Sequence, residues 1–116
     1  HHAALFMAAT AEPPMRLQMR LYSVDAQGKA ADLRAASQTD PRIVSPDDYS
    51  HPQAIGRTLR ASGAQGILYP SVRHPGGECL AALRTGIVKN CLHAAYLEYH
   101  WNGQGIDAVF EVNQVL

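Results

Sequence analysis

A chain of 116 residues that is 47% hydrophobic and 17% charged has the balance of one ordinary globular domain, which excludes a disordered or fibrous protein. Ten basic residues against ten acidic ones leave no net charge, and Lys and Arg are scattered singly, so the cationic surplus of a nucleic-acid binder is missing. Two cysteines, Cys79 and Cys91, are too few for a disulfide-stapled scaffold, and no apolar run approaches the ~20 residues that span a bilayer. The thiols read as free and half-buried in a reducing cytosol, and no basic-then-apolar leader pattern opens the chain.

In chain order, the small apolar stretch from Ala3 to Ala9 predicts a short helix, stopped before Pro13-Pro14 because a residue preceding proline is pushed out of helical geometry. From Arg16 to Tyr22 the pattern alternates, with Leu17, Met19 and Leu21 on one face, which predicts a half-buried strand. Ala26 to Lys29 reads as a turn and Ala30 to Ala36 as a short helix, while Asp40-Pro41 and Ser45-Pro46 mark an irregular surface stretch. A connection this long in a small domain is often functional. A helix is expected from about Pro52 to Ser62, capped by Asp48 or Ser50, with Ile55, Leu59, Ala54 and Ala61 inward and Gly63 as a left-handed C-cap.

Beyond that helix, Gly66 to Tyr69 and Cys79 to Leu83 are short strands joined by the loop 71–77, and Ala95 to Trp101 pairs with Ile106 to Val112 across an Asn102-Gly103 hairpin turn. The order predicts an α+β fold with a mainly antiparallel sheet and flanking helices.

The chemistry-bearing types concentrate between Tyr69 and Gly77. Ser71 follows a strand end, Arg73 offers a planar fork that suits phosphate oxygens, and Gly76 and Gly77 permit a tight turn with exposed amides. A plain strand connection would use the same Pro and Gly. No G-x-S-x-G elbow is present, so Ser71 is not a hydrolase nucleophile. The six histidines show no i, i+4 pair and there is no Cys-x-x-Cys, which argues against a metal, and the odd spacing of His93 and His100 points them to opposite strand faces. Tyr96, Tyr99 and Trp101 read as sheet-face residues before they read as a base-stacking platform, and Asp47 and Asp48 as capping charges before paired catalytic carboxylates.

The wording of the sequence carries further than its composition. Gly66-Ile67-Leu68-Tyr69-Pro70-Ser71-Val72-Arg73-His74-Pro75-Gly76-Gly77-Glu78-Cys79 resembles the characteristic C-terminal segment of RES domains. So do Asp48-Tyr49 with Gln53, Arg60, Gly63 and Gly66, the run Tyr99-His100-Trp101-Asn102-Gly103, and the early Phe6-Met7-Ala8-Ala9-Thr10 with Pro13-Pro14. The resemblance spans nearly the whole chain and implies a single RES domain over 1–116 that lacks its N-terminal part.

It also implies an ADP-ribosyltransferase-like fold and an enzyme that consumes NAD as substrate, with no metal. Members are cytoplasmic toxins held by an Xre-type antitoxin. They pass ADP-ribose to water, phosphate or a protein target, and neither nucleic acid nor a membrane is a direct partner. Ser71 is the family serine by this match, with Ser71, Arg73 and Tyr69 at the NAD. The family's arginine, a tyrosine and its glutamate are expected upstream of His1, since His1-His2 resembles the pair that follows that glutamate and none of Glu12, Glu78, Glu98 or Glu111 matches it. Two other readings stand beside this one: a non-catalytic RES remnant that binds a protein partner, and an unrelated scaffold domain.

Overall fold

The computed structural model describes residues 1–113 and 115. Its elements in chain order are α1 (His2–Thr10), β1 (Met15–Ala26), β2 (Ala30–Asp32), α2 (Ala36–Thr39), a 3-10 turn (Pro41–Val44), α3 (Ser50–Ala61), β3 (Gly66–Pro70), β4 (Glu78–Ala82), a 3-10 turn (Thr85–Ile87), β5 (Val88–Trp101) and β6 (Ile106–Val112). The α+β class expected from the pattern is the one observed. Two compact units divide the chain: His1–Val24 together with Asn90 onward, and Asp25–Lys89.

In the first unit a three-stranded sheet runs in the order β1-β5-β6, with β5 and β6 antiparallel from Tyr96↔Val112 to Trp101↔Ile106. Trp101 is 2% exposed and its indole N–H donates to the Glu12 carbonyl at 3.0 Å, which fixes the segment that follows α1. That helix ends as the prolines require, with Ala11 turning left-handed at φ 51°. The hairpin turn is longer than the Asn-Gly pair suggests. Asn102 accepts the Gln104 and Gly105 amides on its side-chain oxygen, and its own amide donates to the Gly105 carbonyl. An asparagine that bonds forward to the backbone builds its own turn, so the connection occupies 102–105.

β1 is a strand where alternation predicts one, and extends further at both ends. Its apolar face is only partly covered: Leu17 is half-buried, but Met19 and Leu21 are 37% and 50% exposed. β1 lies at a sheet edge, where a strand has a neighbour on one side only.

The second unit holds the sheet β2-β3-β4. Ala30 to Asp32 is a strand, not the start of a helix. It pairs in parallel with Gly66 to Leu68, and the Leu33 amide extends the ladder to the Leu68 carbonyl. Alanine's helical preference is under 1 kcal/mol per residue over most alternatives, and ladder pairing overrides it. Helix begins only at Ala36. Gln65 ties both outer strands together at one end of this sheet. Its side chain accepts from the Lys29 amide, its own amide donates to the Lys29 carbonyl, and its carbonyl takes the Leu83 and Arg84 amides.

Ile67 and Ile87 are both buried, and the backbone passes so close to Ile87 that a Cβ on Gly28 would lie 2.7 Å from its side chain. α3 starts two residues before the predicted Pro52. Neither Asp48 nor Ser50 is the cap: Tyr49 holds that position without a side-chain capping bond, while Asp48 accepts the Ser50 amide from one residue further out, and the helix closes on Gly63 at φ 92°. The Gly63 amide donates to the Arg60 carbonyl and the Ala64 amide to the Leu59 carbonyl, the paired bonds of a Schellman ending. Ile55 and Leu59 are half-buried as expected. Ala54 and Ala61 are exposed, so the inner stripe is narrower than the spacing suggested and runs through His51, Pro52 and Gly56.

Candidate functional site

The β3–β4 loop follows directly from the antiparallel register that sets Tyr69 opposite Cys79 and Pro70 opposite Glu78. Ser71 closes it: its amide donates to the Gly77 carbonyl at 2.9 Å, and its hydroxyl accepts the His74 amide at 3.0 Å. That bond uses the oxygen as acceptor and leaves the hydroxyl proton to donate elsewhere. Gly76 sits at φ 80°, and a Cβ on Gly77 would lie 2.7 Å from the His74 ring, so both glycines are required by the turn. The Gly77 amide donates to the His74 carbonyl and is not an open anion contact, contrary to the expectation of exposed amides there.

Tyr69 is half-buried, and burial, followed by the neighbouring Cys79 thiol, pushes its phenol up from the usual range. Arg73 is exposed and reaches out of the loop, donating from Nη2 to the Pro46 carbonyl at 2.6 Å. This bond ties the loop to the irregular stretch before α3. There lies a groove of about 420 Å³ lined by Arg42, Ser45, Asp48, Ser50, His51 and Ala54. Ser71 and Arg73 lie in the β3–β4 loop and Tyr69 in the strand just before it; of the three Arg73 is tied to that stretch, and none is among the groove's lining residues.

Two carboxylate–guanidinium clusters flank these elements. Asp40 accepts from the Arg42 side chain at 2.9 and 3.0 Å and from its amide, and it lies 3.3 Å from His51 Nε2. The Arg42 guanidinium therefore holds the Asp40 carboxyl down to about 2. Arg34 grips Asp32 through two nitrogens at 2.9 and 2.7 Å and Glu78 through a third at 2.8 Å, bridging the end of β2 to the start of β4. The Asp32 carboxyl is held at about 2 by those Arg34 bonds.

Arg42, Ser45 and His51 were not singled out as site residues by their types. The only signal was the length and irregularity of the stretch between β2 and α3.

Among the described residues no group of three or more His, Cys, Asp and Glu side chains is placed to hold a metal ion. The histidines are dispersed: His51 meets Asp40, His100 meets Glu98 at 2.7 Å, and His93 contacts the Tyr22 and Tyr96 rings. Cys79 is half-buried as expected, while Cys91 is exposed, and both are free. Trp101 is core and Tyr96 is 52% exposed, so the three aromatics of β5 do not act as one face. Among the described residues no helix is long and apolar enough to cross a membrane.

Against known proteins, the model of the RES domain matches residues 1–102. The uncharacterized protein y4oC of Sinorhizobium fredii (strain NBRC 101917 / NGR234) is 27% identical over 107 residues, covering 90% of this chain and 42% of that protein. The chain thus spans less than half the length of this curated relative. No solved structure matches it.

Proposed function

This chain belongs to the RES domain family, and from that premise we propose that it is the NAD-holding part of an enzyme that breaks the nicotinamide–ribose bond. In that reaction the bond from the anomeric carbon to the pyridinium nitrogen breaks, and nicotinamide leaves with the electron pair. Water, phosphate or a protein nucleophile then bonds to the same carbon and gives up its proton. The protein is a cytoplasmic toxin of ADP-ribosyltransferase-like fold, restrained by an Xre-type antitoxin.

One observation carries the reading. Arg34 and Arg42 are met by carboxylates, whereas Arg73 donates to a main-chain carbonyl. Its positive charge is therefore not cancelled and can be offered to a diphosphate, whose oxygens match the guanidinium fork and outcompete a neutral carbonyl. Ser71, two residues away, supplies a hydroxyl proton to orient the ribose or the nicotinamide amide, and Tyr69 a phenol that stays protonated. Positioning of this kind contributes by holding the substrate near its reactive geometry. The carboxylate that stabilises the developing positive charge on the sugar comes from the rest of the protein.

The test is NAD loss by the intact protein. Ser71→Ala should cut turnover sharply. Arg73→Gln should raise the KM for NAD by about 10- to 100-fold, the size of a lost charge-assisted contact. Undiminished turnover in Ser71→Ala overturns the role given to the serine.

The exposed apolar side chains of β1 and β6, Leu21, Tyr22, Val109 and Phe110, favour a second reading as a protein-binding module. Calorimetry separates the two, because a remnant without a pocket binds no NAD.

A further inference from the structure

We propose that the groove beside the start of α3 is a pentose subsite that takes the vicinal diol of a nucleotide ribose. The inference rests on the dinucleotide reading for its class of ligand and adds where one sugar lies. At about 420 Å³ the groove falls within the range of small-molecule sites and matches one end of a dinucleotide better than the whole.

Its charges select against simpler ligands. Arg42 is neutralised by Asp40 through Nε and Nη2, so the groove lacks the excess cation that free phosphate needs, and a phosphate would also face the Asp48 carboxylate. A metal cation would meet the Arg42 guanidinium on the same wall. A diol, neutral and able both to donate and to accept, satisfies all of them.

The hydrogen-bond accounting supports this. Asp48 is kept ionised by the Ser50 hydroxyl and amide, and its Oδ1 accepts that amide at 2.9 Å. A carboxylate has roughly four acceptor positions, so sites remain for two hydroxyl donors. Ser45 accepts the Asp48 amide and keeps its own proton to give. Arg42 Nη1 takes no part in the bonds to Asp40. These groups can donate to the sugar oxygens while Asp48 receives the sugar protons. Ala54 adds an apolar patch against which ring carbons can rest.

The chain also sets the groove next to the proposed diphosphate contact. Ser45 lines the groove, and the next residue, Pro46, is the one that holds Arg73.

Titration calorimetry of the intact protein with AMP and 2′-deoxy-AMP tests the assignment. Wild type should bind AMP at least about tenfold more tightly, the cost of a lost hydrogen bond to a charged group. Asp48→Asn should remove that preference. Asparagine keeps an oxygen that can accept the Ser50 amide, so the start of the helix is retained. Ala54→Leu, at an exposed helical position, should block AMP by filling the groove. Equal affinity for the two nucleotides in wild type, a preference that survives Asp48→Asn, or no AMP binding at all overturns the pentose subsite. Failure of the NAD reading looks different: the diol preference persists while NAD is not consumed.

Discussion

Replacing Trp101 with Phe isolates the contact on which the first unit turns. The indole is 2% exposed, and its N–H donates to the Glu12 carbonyl at 3.0 Å, linking residues 89 apart in sequence. Phenylalanine keeps most of the ring but has no donor. Loss of the hydrogen bond costs about 1 kcal/mol net. The two ring carbons removed are each comparable to a buried methylene at ~0.8 kcal/mol, which adds about 1.6 kcal/mol. The expected loss is therefore roughly 2–3 kcal/mol, against about 3–5 kcal/mol for Trp101→Ala, which empties the site. For a chain of this size the Phe variant should melt on the order of 10 °C lower. Trp101 is the sole tryptophan, so its fluorescence disappears with the substitution and urea unfolding should be followed by circular dichroism. A loss below about 0.5 kcal/mol would refute the claim that this indole anchors the segment after α1.

Gly66→Ala should destabilise the second unit, because a Cβ there lies 3.0 Å from Ile87 Cδ1 and 3.1 Å from the Ala81 carbonyl, and the latter is backbone that cannot yield. Overpacking of this kind costs about 1–3 kcal/mol. The matched control is Gly56→Ala in α3, where nothing lies within 4 Å and denaturation should show a gain of about 0.5–1 kcal/mol; a loss at both sites would point to something other than crowding. Acid should weaken the fold through Asp32 and Asp40. Each carboxyl is depressed from 3.8 to about 2 in the folded chain, so its contribution is full above about pH 4 and disappears as pH falls toward 2. Asp32→Asn and Asp40→Asn should each flatten stability between those pH values. An acid limb unchanged in both variants contradicts the ion-pair account.

Local chemistry made much of the fold legible. The prolines after α1, the glycine after α3 and the strands around the Ser71 loop all lie where their residue types demand, since each depends on neighbours a few positions away. Ala30 to Asp32 misled because its state is set by a partner 36 residues on, the parallel strand at Gly66 to Leu68, which no local pattern announces. Met19 and Leu21 misled in a different way: alternation fixes which side of a strand a residue takes but not whether anything covers that side. The candidate site divides along the same line. Ser71, Arg73 and Tyr69 were visible as one short segment. The groove residues Arg42, Ser45 and His51 gain their meaning from a turn, a loop and a helix start brought together, with Asp40 holding two of them.

The tie between Arg73 and Pro46 has an evolutionary side. Its acceptor is a peptide oxygen, present whatever amino acid occupies position 46, so mutation there leaves the chemical group intact. Only position 73 encodes the bond. Sequence drift can therefore remodel the stretch before α3, and with it the shape of the neighbouring groove, while the arginine keeps its perch.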